Sequence, residues 1–156
     1  MLTYRYEAPL PPAPPLRSET PFAALERGKN EVIYYAGDEA DSVFRILEGL
    51  VKLSIDLPSG RERVLSIAGP GDLIGALRVR QISYGETSSA LSETVRLGVT
   101  DARTAEASLG DALHRATGLQ LERLRETLHD SELPVPARLA HTFLRLGERF
   151  GTTTEA

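Results

Sequence analysis

The sequence predicts a mainly β domain followed by C-terminal helices, and three observations predict it. Short runs rich in β-branched and aromatic residues recur at spacings of about ten residues between Val32 and Val99. Turn residues bound each run: Gly37 and Asp38, Glu48 and Gly49, Pro58 to Gly60, and Gly69 to Asp72. Past Val99 the apolar period changes from two to about 3.6, which is the change from strand to helix.

The elements follow in order. In residues 1–20 five prolines fall within the seven positions Pro9 to Pro15, and proline cannot donate to a helix or sheet. That stretch reads as an extended, polyproline-like arm lying beside the domain, with a docking ligand for an SH3-like partner as the alternative. Pro21 to Leu25 reads as a short helical turn. Strands are expected at Val32–Tyr35, Val43–Leu47, Leu50–Ile55, Arg63–Ile67 and Thr94–Val99. Within Leu50 to Ile67, Lys52, Ser54 and Asp56 alternate with Val51, Leu53 and Ile55, and Pro58 to Gly60 closes a hairpin.

Ser108 with Asp111 resembles a capping box and places a helix start near Leu109. Leu113, Thr117, Leu121, Leu124 and Leu128 then recur at spacings of 4, 4, 3 and 4, with Glu122, Arg123, Arg125 and Glu126 on other faces. Gly118 in mid-helix suggests a close contact on its side. The helix must end before Pro134, because the residue preceding a proline is disfavoured in the α region. A second helix begins around Pro136, carries Leu139, Phe143, Leu146 and Phe150 on one face, and stops at Gly151. The division is an arm at 1–20, a β domain at 21–107, a long helix at 108–132, and a hinge and helix at 133–156. Nothing downstream covers the apolar face of that last helix, so the sequence is expected to be part of a longer protein.

Composition excludes several chemistries. There is no cysteine, which removes disulfides, thiolate zinc sites and cysteine-held iron–sulfur clusters. A net charge of −4 gives no global attraction to nucleic acid or anionic lipid. No apolar stretch approaches the roughly 20 residues of a membrane span, and the N-terminus lacks a secretory pattern, so a cytoplasmic location is expected. His114, His129 and His141 all fall in the helical half, away from the strands that hold metal in a cupin-type roll, and no nucleophile–base pair stands out. No metal and no catalytic residue is expected, and the chain reads as a non-enzyme. The leucine stripe packs either on the chain's own β domain or on a second copy. Its narrowness favours a parallel homodimer with Leu113, Thr117, Leu121, Leu124 and Leu128 in the interface.

The order of parts resembles a known family. Val32 to Gly49, with its apolar pair, Gly37-Asp38 turn, apolar strand and further glycine, resembles the first signature of the cyclic-nucleotide-binding β-roll. Pro70 to Gly75 looks like the turn and strand that enter the phosphate-binding cassette. The long helix, short hinge and helix from Pro136 to Leu146 are similar to those of the Crp/Fnr transcription regulators. The resemblance spans about Phe22 to Gly151. It implies a double-stranded β-helix (jelly roll), a dimerisation helix, and the start of a winged-helix DNA-binding domain whose reading element lies outside this chain. It implies DNA binding as a dimer across two half-sites. The hairpin-tip residues Arg61 and Arg63 become candidates for an RNA polymerase contact, beside the plain reading of a solvated hairpin.

The family's ligand chemistry is less well kept. Cassettes that hold cyclic AMP follow the equivalent of Gly75 with a glutamate, and about ten residues later set an arginine against the phosphate. Here those positions carry Ala76 and Glu86, with Thr87 and Ser88 following. A carboxylate facing a buried phosphate repels it. Gly75, Ala76, Glu86, Thr87 and Ser88, joined by Arg123 and Thr127 from the long helix, are thus expected to form a degenerate effector pocket. No cofactor is expected, cyclic AMP included. The alternative function is a stand-alone ligand-binding or interaction module without DNA.

Overall fold

The computed structural model describes residues 22–78 and 80–151; the proline-rich arm expected at 1–20 lies outside the described residues. Strands β1 (Ala23–Gly28), β2 (Val32–Tyr34), β3 (Ser42–Glu48), β4 (Val51–Asp56), β5 (Glu62–Ala68), β6 (Leu73–Gly75), β7 (Thr87–Ala90) and β8 (Thr94–Asp101) precede helices α1 (Ala102–Ser131) and α2 (Val135–Phe150). The strands pair as two antiparallel sheets, β1-β8-β3-β6 and β2-β7-β4-β5, so that chain neighbours such as β3 and β4 lie in opposite sheets. That is the jelly roll the resemblance implies. Val43, Ile46, Val51, Val95 and Leu97 are sealed between the sheets and the helix, each worth about 1.5–3 kcal/mol when fully buried.

The expected hairpin is present, with β4 running against β5 from Val51–Ala68 to Asp56–Glu62. Its alternation breaks at a bulge between Leu53 and Ser54, which buries the Ser54 hydroxyl against Glu62. Lys52 and Ser54 both bond Glu62, which holds its carboxyl below the usual range, the Lys52 contact being the larger cause. Two glycines have backbone reasons. A Cβ on Gly49, at φ +83°, would sit 2.5 Å from the Thr94 carbonyl, and one on Gly75, at φ +98°, would sit 2.7 Å from that of Ser42.

Several expectations are corrected. The helical turn expected at Pro21 to Leu25 is not formed: Ala23 to Gly28 is a strand paired residue for residue with β8 from Val99 to Thr94. Its alanines carry helix propensity, and pairing overrides it. Thr87 to Ala90, small and polar, is a strand because β2 and β4 pair with it on both sides. The long helix begins at Ala102 rather than near Leu109. Asp101 is its cap, accepting from the Thr104 amide at 2.9 Å, which holds the Asp101 carboxyl below its usual range. Leu109 is where the helix kinks, with φ −121° and ψ 16°, and the Ser108 hydroxyl bonds back to the Thr104 carbonyl. A Cβ on Gly118 would meet nothing within 4 Å, so that glycine is not required by a contact among the described residues. Gly151 ends α2 at φ −68°, in extended rather than left-handed backbone.

Candidate functional site

The site lies along the seam where α1 crosses the mouth of the roll. The first half of α1 is welded to the β domain: Ala105, Leu109, Ala112 and Leu113 are buried in the common core. Leu113, expected in a dimer interface, is therefore a core residue of its own domain, 6% exposed. Beyond Ala116 apolar burial gives way to polar ties. The Thr117 hydroxyl lies 3.4 Å from the Leu77 carbonyl, and the Gln120 amide donates to Glu86 at 3.2 Å. Arg123 pairs with Asp72 at 3.0 Å, and the Thr127 hydroxyl donates to the Leu65 carbonyl at 3.0 Å. Residues three and four apart share a helix face, so these side chains form one polar stripe laid on the roll.

Arg123 and Thr127 of the expected pocket lie on that stripe, and Glu86 is tied to it through Gln120. Gly75 turns the chain so that Ala76 and Leu77 enter the core. Glu86 precedes β7 and accepts from the Tyr34 hydroxyl at 3.1 Å as well as from Gln120. Tyr34 is buried, stacked on Tyr84 at 4.1 Å and on Phe44 at 5.5 Å. Burial, and next the Glu86 carboxylate, push its phenol well above the ordinary range, so it stays a donor at any physiological pH. Ser88 lies close enough to temper that rise, but its fully buried hydroxyl makes no hydrogen bond of good geometry. The Thr87 hydroxyl is engaged, accepting from the Ala36 amide at 3.1 Å. Glu86 is thus held from two sides, by β2 and by α1.

Asp72 is a second junction, which residue spacing gave no means to find. Its carboxylate takes Arg123 of α1 on Oδ1, and Arg149 of α2 on Oδ2 at 3.0 Å, with the Gly69 amide also donating to Oδ2 at 2.9 Å. Arg149 reaches the Ile67 carbonyl as well, and the Phe150 ring closes over Gly69. Buried Asp130, at the end of α1, pairs with Arg145 at 2.6 Å from its Oδ2 and lies 3.2 Å from His141 Nδ1. The Arg145 contact is ionic, without hydrogen-bond alignment. These contacts fold α2 back against α1.

Other candidates separate. Leu121 and Leu128 point away from the roll, 48% and 63% exposed, with Leu124 half-buried. On α2, Val135, Leu139, Phe143 and Leu144 are exposed too. Arg61 is exposed at the β4–β5 tip, while Arg63 is half-buried. Among the described residues no three acidic or histidine side chains converge on a metal position, and no helix is long and apolar enough to cross a membrane.

Residues 25–107 match the model of the cyclic nucleotide-binding domain. The chain is 32% identical over 132 residues to the "CRP-like cAMP-activated global transcriptional regulator" of Mycobacterium tuberculosis, covering 80% of this chain and 58% of that protein. The crystal structure of TTHB099, a CRP-family transcriptional regulator from Thermus thermophilus, superposes with a TM-score of 0.68 at 29% identity, over 80% of this chain and 64% of that one. FixK2 from Bradyrhizobium japonicum superposes at 0.75 and 19% identity, covering 85% and 69%, a likeness of fold. The chain thus spans less than two thirds of the length of the curated relative it matches.

Proposed function

Because the chain belongs to the cyclic nucleotide-binding domain family, as a member of Crp/Fnr type, we propose that it is the sensor and dimerisation part of a cytoplasmic, homodimeric, DNA-binding transcription regulator. In this reading it is not an enzyme, cyclic AMP is not its effector, and DNA is read by a domain following α2. One observation carries the reading. A 30-residue helix roots its first half in the roll, then runs on with Leu121 and Leu128 facing outward while Arg123 and Thr127 hold the roll. Such a helix has one apolar edge left for a twofold partner and one polar edge that registers the state of the roll.

The effector reading rests on Glu86. A cyclic phosphate at the usual place would meet a carboxylate already held by Tyr34 and Gln120. Mobility-shift titration of the complete gene product on its own promoter region, with and without cyclic AMP, tests both parts. Retarded DNA at nanomolar protein, indifferent to cyclic AMP, is the expected result. Absence of any DNA binding favours the stand-alone module, and a large gain with cyclic AMP overturns the pocket reading. Alanine at Arg61 and Arg63 in a transcription assay tests the polymerase contact separately; unchanged activation removes it.

A further inference from the structure

The strands and the second half of α1 meet through a short relay of side chains. At its inner end the buried Tyr34 of β2 stacks on Tyr84 and on Phe44. Its hydroxyl donates to Glu86 Oε1 at 3.1 Å, and the same oxygen accepts from the Gln120 amide of α1 at 3.2 Å. Three residues further along that face of α1, Arg123 is answered by Asp72 at 3.0 Å. The amide and the guanidinium that α1 turns toward the roll thus both end on roll carboxylates.

What Glu86 stands in for follows from the chemistry of the helix. Past Ala116 the residues of α1 that face the roll are tied to it by hydrogen bonds and an ion pair, so the seating of this half depends on acceptors placed between helix and strands. A bound anion can supply such an acceptor, but it gives up its translational freedom each time it binds. A carboxylate belonging to the chain supplies it permanently, at high effective concentration. Glu86 is placed for that role. It stands immediately before β7, which is paired on both sides by β2 and β4, so its backbone is fixed. Its single oxygen gathers donors from two different elements, which a charged acceptor does more strongly than a neutral one.

We propose that Glu86 is a built-in ligand: its carboxylate takes the place of an anionic effector between β7 and α1 and keeps the outer half of the helix seated on the roll with nothing bound. The acidic side chain that repels a phosphate is then also what makes one unnecessary. Glu86 is a positioning residue, acting on α1 through Gln120, with Tyr34 fixing its direction from the core. The inference rests on the sensor reading above, but its test uses neither DNA nor cyclic AMP, so the two fail separately.

Hydrogen exchange followed along α1, in the wild-type chain and in Glu86→Ala, provides the test. Removing the carboxylate should speed exchange between Thr117 and Ser131 by about fivefold, the loss of one hydrogen bond to a charged group, and leave the Ala102–Ala116 half unchanged. Sodium acetate at about 0.1 M, compared with sodium chloride at the same ionic strength, should restore part of the protection in Glu86→Ala and leave the wild type untouched, because only the variant has room for a free carboxylate. Gln120→Ala should loosen the same half without responding to acetate, and adding Glu86→Ala to it should loosen it no further. Glu86→Gln keeps the shape and a neutral acceptor; it should fall between the wild type and Glu86→Ala, and with Gln120→Ala it serves if the alanine variant unfolds. Wild-type exchange in both Glu86 variants overturns the proposal. Loosening that acetate does not relieve, or that chloride relieves equally, makes Glu86 a packing residue and overturns it as well.

Discussion

The two halves of α1 are built on different chemistry. From Ala102 to Ala116 the helix is an organ of the core, with Ala105, Leu109, Ala112 and Leu113 buried against the roll. From Thr117 to Ser131 it touches the roll through hydroxyls, an amide and a guanidinium, and leaves Leu121 and Leu128 in solvent. Apolar burial is non-directional and hard to reverse locally, whereas polar ties exchange for water or ligand at small net cost. The kink at Leu109 lies within the buried half. A difference of this kind suits a lever: one end anchored, the other responsive.

The comparison makes graded demands. Leu113→Ala should destabilise the domain by about 2–5 kcal/mol in urea unfolding, because it leaves a cavity in the core. A loss near zero would mean that Leu113 belongs to the responsive half after all. Arg123→Met removes a pair whose side chains are 21% and 20% exposed, and should cost about 1–2 kcal/mol. It should also speed hydrogen exchange selectively beyond Thr117, since Asp72 loses its hold on α1; uniform exchange along the helix would contradict the division.

Acid should weaken the cap at the start of α1. The Asp101 carboxyl is held low chiefly by its bond to Thr104. Its contribution is therefore full above the unfolded-state value and is lost as pH falls through the lowered folded one. Asp101→Asn keeps the cap but removes the titrating group, so the acid limb of a stability-versus-pH curve should flatten modestly in that variant. An unchanged limb would assign acid sensitivity elsewhere.

Much of the roll is legible in the sequence because its strands alternate and its turns are marked by residues such as Gly49 and Gly75 that backbone geometry requires. β1 and β7 are not. The sequence from Ala23 to Gly28 favours helix, and that from Thr87 to Ala90 carries no apolar signal, so only their long-range partners make them strands. Glu86 marks the pocket because an acidic side chain occupies a position where the resemblance implies a basic one. Asp72 and Asp130 carry no such signal, since their meaning comes from partners distant in sequence: Arg149 and Arg145. The leucine stripe has a uniform period, but the roll covers only the end that contains Leu113, and period alone does not show where that cover stops.

Sedimentation equilibrium on the wild-type chain and on a Leu121→Asp, Leu128→Asp double variant tests the division of α1 most directly. The wild type should sediment at twice the monomer mass at tens of micromolar protein. The double variant should sediment as a monomer whose thermal midpoint, far-UV spectrum and protection of the Ala102–Ala116 half match those of an intact roll. A wild-type monomer, a variant that remains dimeric, or a variant that loses the roll together with the dimer would contradict the assignment of that outer edge to a second copy of the chain.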